Sequence, residues 1–461
     1  MNIVLVIFFF LSGFFVLFRR TVLSLMELFV SSDQVIRFFA IGYIVIFLPI
    51  ALWLISLPDS TEILWKLVLL VVSIVAALEG LIFLVFPDLP KKIVNFYLSI
   101  NFYLWAIPSS LICFLLALFL LARSYIGPIP EITECEPDYP LSVVCVVNNP
   151  EDLAVTPDNN FLIVSEFGGI EPLEEMIPGK LSLLDLITEE SLPLDISYSK
   201  NTWGDGLCIR KSGDLIGPHG IDLVQRDDDL YQLAVVNHIE YESVEMYELL
   251  RKGSQWALNW RGCVKAPIES YLNDVSLKSD GSFFVSHMYD REVSITTFLA
   301  GALFKYDTGY VLQWNNKEGF SKVVGSEGAM PNGIAFDQSK NLLYINDNLG
   351  DKVRVLDLTQ NKEISRTFLN SPDNLILKNN SLWVTTLDHE ILDTLRCSGM
   401  KVCTLPFSIY ELNPISLEEK NRFSFKKTIF GLPTVALPIG NKIWIGSFRS
   451  DRVAYINMER K

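Results

Sequence analysis

Apolar residues are spread unevenly along the chain. Long unbroken runs fill the first quarter, and short alternating runs fill the rest. The run MNIVLVIFFFLSGFFVLF ends at Arg19 and Arg20, and three more follow at about residues 38–57, 64–86 and 102–122. Each is near the roughly twenty residues that about 30 Å of hydrocarbon requires. They predict an α-helical membrane domain of about four transmembrane helices over residues 1–126, with the lipid bilayer as its partner. The first run lacks the charged leader and small-residue cleavage site of a secretory signal, so it reads as a retained span. Glu79 inside the third run is costly against lipid and is expected to face a neighbouring helix or a polar cavity.

A Pro-rich, acidic connector, GPIPEITECEPDYP, covers residues 127–140 and reads as an extended strut. From 141 to 461 the period changes to short β-type runs separated by Gly, Asn, Asp and Pro. One unit recurs: an alternating strand, a polar turn, then a strand rich in branched and aromatic residues. Its copies are EDLAVTPDNNFLIVSE, HGIDLVQRDDDLYQLAVVNH, NDVSLKSDGSFFVSHM, NGIAFDQSKNLLYIND, DNLILKNNSLWVTTLDH and PTVALPIGNKIWIGSF. They start about 40 to 70 residues apart, a period suited to four-stranded propeller blades. A β-sandwich is the competing architecture, and six similar units favour radial repetition. The predicted fold is thus an all-β six-bladed β-propeller preceded by the helical membrane domain.

Charge sharpens this division. Residues 1–126 hold seven Lys/Arg against six Asp/Glu, while the remainder holds 31 against 47 and carries the whole excess of the net −15. An acidic domain of that kind repels nucleic-acid phosphates and suits hard cations. Arg19, Arg20 and Arg37 flank the first helix connection, and Lys91 and Lys92 flank the third. The basic connections should be cytoplasmic, which places the propeller on the extracytoplasmic side, periplasmic or extracellular/lumenal. Seven cysteines form no CxxC pair and no zinc-type spacing. Cys397 with Cys403, and Cys135 with Cys145, are candidate disulfides.

The candidate chemistry lies at the heads of the repeated units. Glu151-Asp152, His219-Gly220, Asn273-Asp274, Asn332-Gly333 and Asp373-Asn374 stand where inner strands begin, and in a propeller those starts converge on the central channel. Singly, each doublet would read as a turn cap. Five at equivalent positions point to a ring of oxygen ligands, and the ion that takes such ligands is calcium. Adjacent strand residues point in opposite directions, so Glu151-Asp152 and Asn273-Asp274 could each serve two ions at different depths. The sixth unit opens on Pro433-Thr434 and offers no such ligand.

Through GPHGIDLV, LAVVNH, YLNDVSL, PNGIAF and SPDNLILK, together with the opening NPEDLAV, residues 151–456 resemble the paraoxonase/arylesterase family. The resemblance implies hydrolysis of aryl esters or lactones, with two calcium ions. Glu151, Asn273, Asn332, Asp373 and Asn374 would hold a catalytic ion. Asp152, Asp274 and the carbonyl of Ile221 would hold a structural one. His219 matches the family's general base and His238 its supporting partner. Unlike the family, this chain has no cysteine in its last strand, RVAYINM, so closure of the ring is expected to rest on strand pairing. A gluconolactonase-like or strictosidine-synthase-like propeller, and a non-catalytic calcium-stabilised binding propeller, are the competing readings. A transporter built from the helices has few polar groups to line a pathway.

Overall fold

Six helices follow one another before any strand forms: α1 (Asn2–Leu17), α2 (Arg19–Phe29), α3 (Asp33–Ser56), α4 (Ile63–Val85), α5 (Asp88–Ser99) and α6 (Phe102–Tyr125). The computed structural model describes residues 2–56, 63–125, 132–169, 177–253, 255–389, 397, 400–426 and 428–458. Its contacts divide the chain into two units, Met1–Pro128 and Ile129–Lys461.

The helical unit is built twice. A long apolar helix, a short helix bent sharply from it, and a second long helix run from α1 to α3 and again from α4 to α6, with bends of 92° and 107°. The short helices α2 and α5 carry Arg19, Arg20, Lys91 and Lys92 and fall where the sequence predicted plain connections. Packing follows the same doubling, because α1 lies along α6 and α3 along α4. Gly13 takes the edge of Phe114, and Gly80 takes the backbone of Ala40. Small residues let helices approach closely where lipid gives no hydrophobic drive for association. Large apolar side chains face outward instead, with Phe38 74% and Leu104 71% exposed, the inverse of a water-soluble bundle. Glu79 departs from expectation. It is exposed on α4 because Ser73, Ala76, Ala77 and Gly80 already occupy the packing face. Among the described residues two helices, α3 and α6, are long and apolar enough to cross a membrane, rising to four if each bent pair counts as one span.

The second unit is a six-bladed β-propeller. Its sheets span residues 150–193, 196–265, 270–322, 331–368 and 372–425, and the sixth joins 433–457 to residues 141–144. That last pairing closes the ring: Leu141 lies opposite Ile456 and Val144 opposite Val453, antiparallel. Strand pairing therefore does the work of the missing terminal cysteine. The innermost strands Pro150–Val155, Pro218–Gln225, Ser270–Leu277, Pro331–Asp337, Pro372–Lys378 and Pro433–Ile439 each neighbour the next around the axis. Apolar side chains fill the spaces between blades, as where Ala154 and Ile163 meet Ile221, Leu233 and Leu249. The two middle strands of a blade are buried over most of their length, as in Phe161–Glu166 and Lys180–Asp185, whereas outermost strands such as Lys362–Phe368 alternate with solvent.

Blade two explains the uneven spacing of the repeats. It has a fifth strand, Ile196–Tyr198, parallel to Gln255–Lys265, and the Cys208–Cys263 disulfide holds the long excursion that follows it. Cys135–Cys145 and Cys397–Cys403 also pair, whereas Cys113 is free. The buried Arg452 donates from Nη1 to the carbonyl of Glu134 at 2.8 Å, so the stretch before the first propeller strand is fastened to the last one.

Candidate active site

At the head of every inner strand the pairing with its neighbour slips. The register breaks at Pro150/Asp152, Pro218/Ile221, Leu272/Val275, Pro331/Ile334, Pro372/Leu375 and Pro433/Ala436. Proline at five of these heads has no N–H to give the ladder, and a bulge releases the residues beside it to turn toward the axis. The two glycines in the ring have a steric reason. A Cβ on Gly220 would lie 2.6 Å from the carbonyl of Asn273, and one on Gly333 would lie 2.4 Å from Cα of Asn374.

The released side chains meet. Glu151 Oε1 lies 3.3 Å from His219 Nε2 and accepts from Asn374 Nδ2 at 3.4 Å. Asn273 Nδ2 is 3.4 Å from His219 Nε2, and Asn332 hydrogen-bonds Asp373. All are buried, yet Glu151 Oε2, Asn273 Oδ1, Asn332 Oδ1 and Asn374 Oδ1 have no hydrogen-bond partner. Buried acceptors are almost always satisfied, and leaving one unmade costs about 1–3 kcal/mol. Four orphaned oxygens in one ring are thus a donor set that fits a hard cation. Blade six contributes a hydroxyl instead, with Thr434 Oγ1 donating to the Glu151 carbonyl.

A second group lies further along the same strands. Asp152 Oδ2 accepts from Ile221 N–H and Asp274 Oδ2 from Ile334 N–H, both at 2.7 Å. It is the amide of Ile221, rather than its carbonyl, that the structure shows in contact with a carboxylate. Below them a cavity of about 320 Å³ is lined by Asp152, Asp222, Asp274 and apolar residues of the inner strands. Asp222 was not singled out in the sequence, and its amide partner is Leu277 at 2.7 Å.

Burial dominates the electrostatics. It pushes the Glu151 carboxyl up to about 8 and that of Asp222 to about 6. Asp152, Asp274 and Asp373 are also driven well up, chiefly by burial and further by the neighbouring carboxylates. Burial, and then the nearness of the His238 ring, hold His219 well below the usual imidazole range. So many carboxylates close together require either protons or a cation.

His219 is fixed on its other side. Its Nδ1 is 2.8 Å from His238 Nε2, and His238 Nδ1 is 2.9 and 3.0 Å from the two oxygens of Glu242. Phe167 stacks on His219 with ring centres 4.3 Å apart, and Tyr271 stacks on His238 at 4.7 Å. Sequence reasoning missed Glu242 because it is one of four glutamates, with Glu240, Glu245 and Glu248, within nine residues, where nothing in the spacing separates it from a solvated face.

The arylesterase family model matches residues 131–405. The chain belongs to the arylesterase family. Curated relatives are more distant. The rat serum paraoxonase/arylesterase 2 is 25% identical over 224 residues, covering 47% of this chain and 58% of that protein. The human serum paraoxonase/arylesterase 2 is 23% identical over 234 residues, covering 49% and 61%. The chain thus spans about three-fifths of the length of these relatives. Among solved structures it is similar to a luciferin-regenerating enzyme at 11% identity, covering 72% of this chain and 95% of the other with a TM-score of 0.39, a likeness too loose to carry an argument. The matched segment includes every orphaned oxygen and both histidines of the His219–His238 pair.

Proposed function

We propose that this arylesterase-family propeller is a calcium-dependent hydrolase of small aryl esters or lactones, held at a membrane by its helical unit. The observation that carries the reading is the set of four orphaned, buried oxygens beside a hydrogen-bonded histidine pair. Glu151, Asn273, Asn332, Asp373 and Asn374 would hold the catalytic ion, and Asp152, Asp274 and Ile221 a structural one. When bound, calcium polarises an ester carbonyl and stabilises the negative charge that develops on its oxygen. His219 is the base. Its Nε2 faces the oxygen ring, where it can take a proton from an attacking water, and the partner at Nδ1 steadies the ring. Phe167 covers one face of His219 and limits water there.

Three disulfides in the propeller favour an oxidising compartment, in agreement with the basic connections at Arg19, Arg20, Arg37, Lys91 and Lys92. Both support an extracytoplasmic propeller. The test is hydrolysis of a panel of aryl esters and five- and six-membered lactones by the full chain in detergent, with calcium, after chelation, and with Asn332→Ala. Turnover that needs calcium and is lost in the variant is expected. Bound calcium with no turnover on any substrate would replace the hydrolase with a binding propeller.

A further inference from the structure

We infer that Glu242 is a positioning residue for this hydrolase: it fixes the proton positions of the His219–His238 pair so that the lone pair of His219 Nε2 faces the oxygen ring. The inference rests on the reading of His219 as the base. Glu242 is buried, and two donors already point at its carboxylate. Leu272 N–H donates to Oε2 at 2.9 Å, and Arg291 Nη1 lies 3.4 Å from Oε1. A carboxylate that already accepts from two donors offers its remaining lone pairs to a third.

The consequence runs through three contacts in order. An acceptor-only Glu242 against His238 Nδ1 requires that nitrogen to carry the proton. A neutral His238 is then bare at Nε2 and can only accept, so His219 Nδ1 must donate across the 2.8 Å contact. His219 is then bare at Nε2, where the Asn273 amide can donate at 3.4 Å. The partner at one ring nitrogen sets the tautomer of an imidazole, and here that partner, His238, is itself set by a carboxylate. Stacking of Tyr271 on His238 restricts rotation of the intermediate ring.

In Glu242→Gln one oxygen becomes an NH₂ group. The Leu272 N–H claims the remaining oxygen, which brings the NH₂ group to the other position, 2.9 Å from His238 Nδ1, so the preference of that nitrogen for the proton is weakened. The chain has four histidines, so ring signals of ¹⁵N-histidine-labelled full chain in detergent are few enough to assign. We expect His219 and His238 to carry the proton on Nδ1 in the wild type and to populate the Nε2 form as well in Glu242→Gln. The kcat of that variant should fall about 10²- to 10⁴-fold, with KM within about threefold and calcium content unchanged. Glu242→Asp, which keeps the carboxylate, should recover kcat to within about tenfold of the wild type. A wild-type His238 protonated on Nε2, or a Glu242→Gln protein with kcat within threefold of wild type, overturns the assignment. If no form hydrolyses any substrate, the hydrolase reading fails, while the wild-type tautomers still decide the role of Glu242.

Discussion

The helical unit and the propeller are both made by repetition, and they differ in what the repeat points inward. In the helices a twofold repeat sets a glycine against the neighbouring helix, Gly13 against the ring of Phe114 and Gly80 against the backbone of Ala40, and leaves much bulky apolar surface outside. In the propeller a sixfold repeat buries apolar groups between blades and turns its polar strand heads toward one axis. A twofold repeat supplies closeness, whereas a sixfold one supplies a ring in which each position can carry a different ligand. Chemistry collects on the axis because only there do six equivalent bulges converge, each free to vary without disturbing a ladder.

The largest effect that would break this contrast is expected from Glu151→Gln. It removes the charge at the centre of the oxygen ring while keeping its shape, and kcat/KM on any responsive ester or lactone should drop at least about 10³-fold. Calcium measured on the same protein should fall with it. Retention of both would mean that the ring is only packing, as in the helices. Next comes chelation, which should destabilise the propeller by about 4 kcal/mol if calcium had stood a thousandfold above its dissociation constant. The helical circular-dichroism transition should stay in place. A shift of both transitions together would argue that calcium acts elsewhere.

A smaller, pH-dependent effect follows from the raised carboxyls. Glu151 goes from an ordinary 4.5 to about 8 and Asp222 from 3.8 to about 6, and Asp152, Asp274 and Asp373 move the same way. Over that window the folded, calcium-free propeller binds more protons than the unfolded chain. Its stability must therefore fall as pH rises from about 4.5 to 8. Calcium replaces those protons, so the loaded protein should lose the slope and bind the ion more tightly at the upper end. Thermal melts across this range, with and without chelator, check the sign. A calcium-free Tm that rises with pH would place ionised, already paired carboxylates on the axis.

How much of this the sequence disclosed depends on whether a feature repeats. Glu151, His219, Asn273, Asn332 and Asp373 could be read because each heads a unit that recurs, so position in the repeat stood in for position in space. The membrane runs were legible from length and apolarity alone. Single contacts between unlike elements were not. Cys208 meets Cys263 across 55 residues, and Glu242 meets His238 in a stretch crowded with other carboxylates. The bulges were invisible too. Alternation suggested that neighbouring residues of a doublet look to opposite sides, and only the broken register shows how they leave the ladder. The doubling of the helices escaped notice because its signal is packing of small residues, which hydropathy does not weigh.

That doubling gives the smallest effect and the finest test of the comparison. Gly13 and Gly80 hold equivalent places, near the ends of α1 and α4, but their surroundings differ. A Cβ on Gly80 would meet the carbonyl of Ala40 at 2.8 Å, a backbone atom that moves only with all of α3. A Cβ on Gly13 would meet the ring of Phe114 at 3.0 Å, and a ring can turn aside. Alanine is otherwise the better helix former by roughly 1 kcal/mol. Gly13→Ala should therefore be neutral to within about 0.5 kcal/mol, whereas overpacking in Gly80→Ala should cost about 1–2 kcal/mol. Denaturation of the full chain in detergent, followed by the helical signal, measures both. Equal effects at the two sites would mean that the α3–α4 contact is no more rigid than α1–α6, and the two halves would then be alike in mechanics as well as in plan.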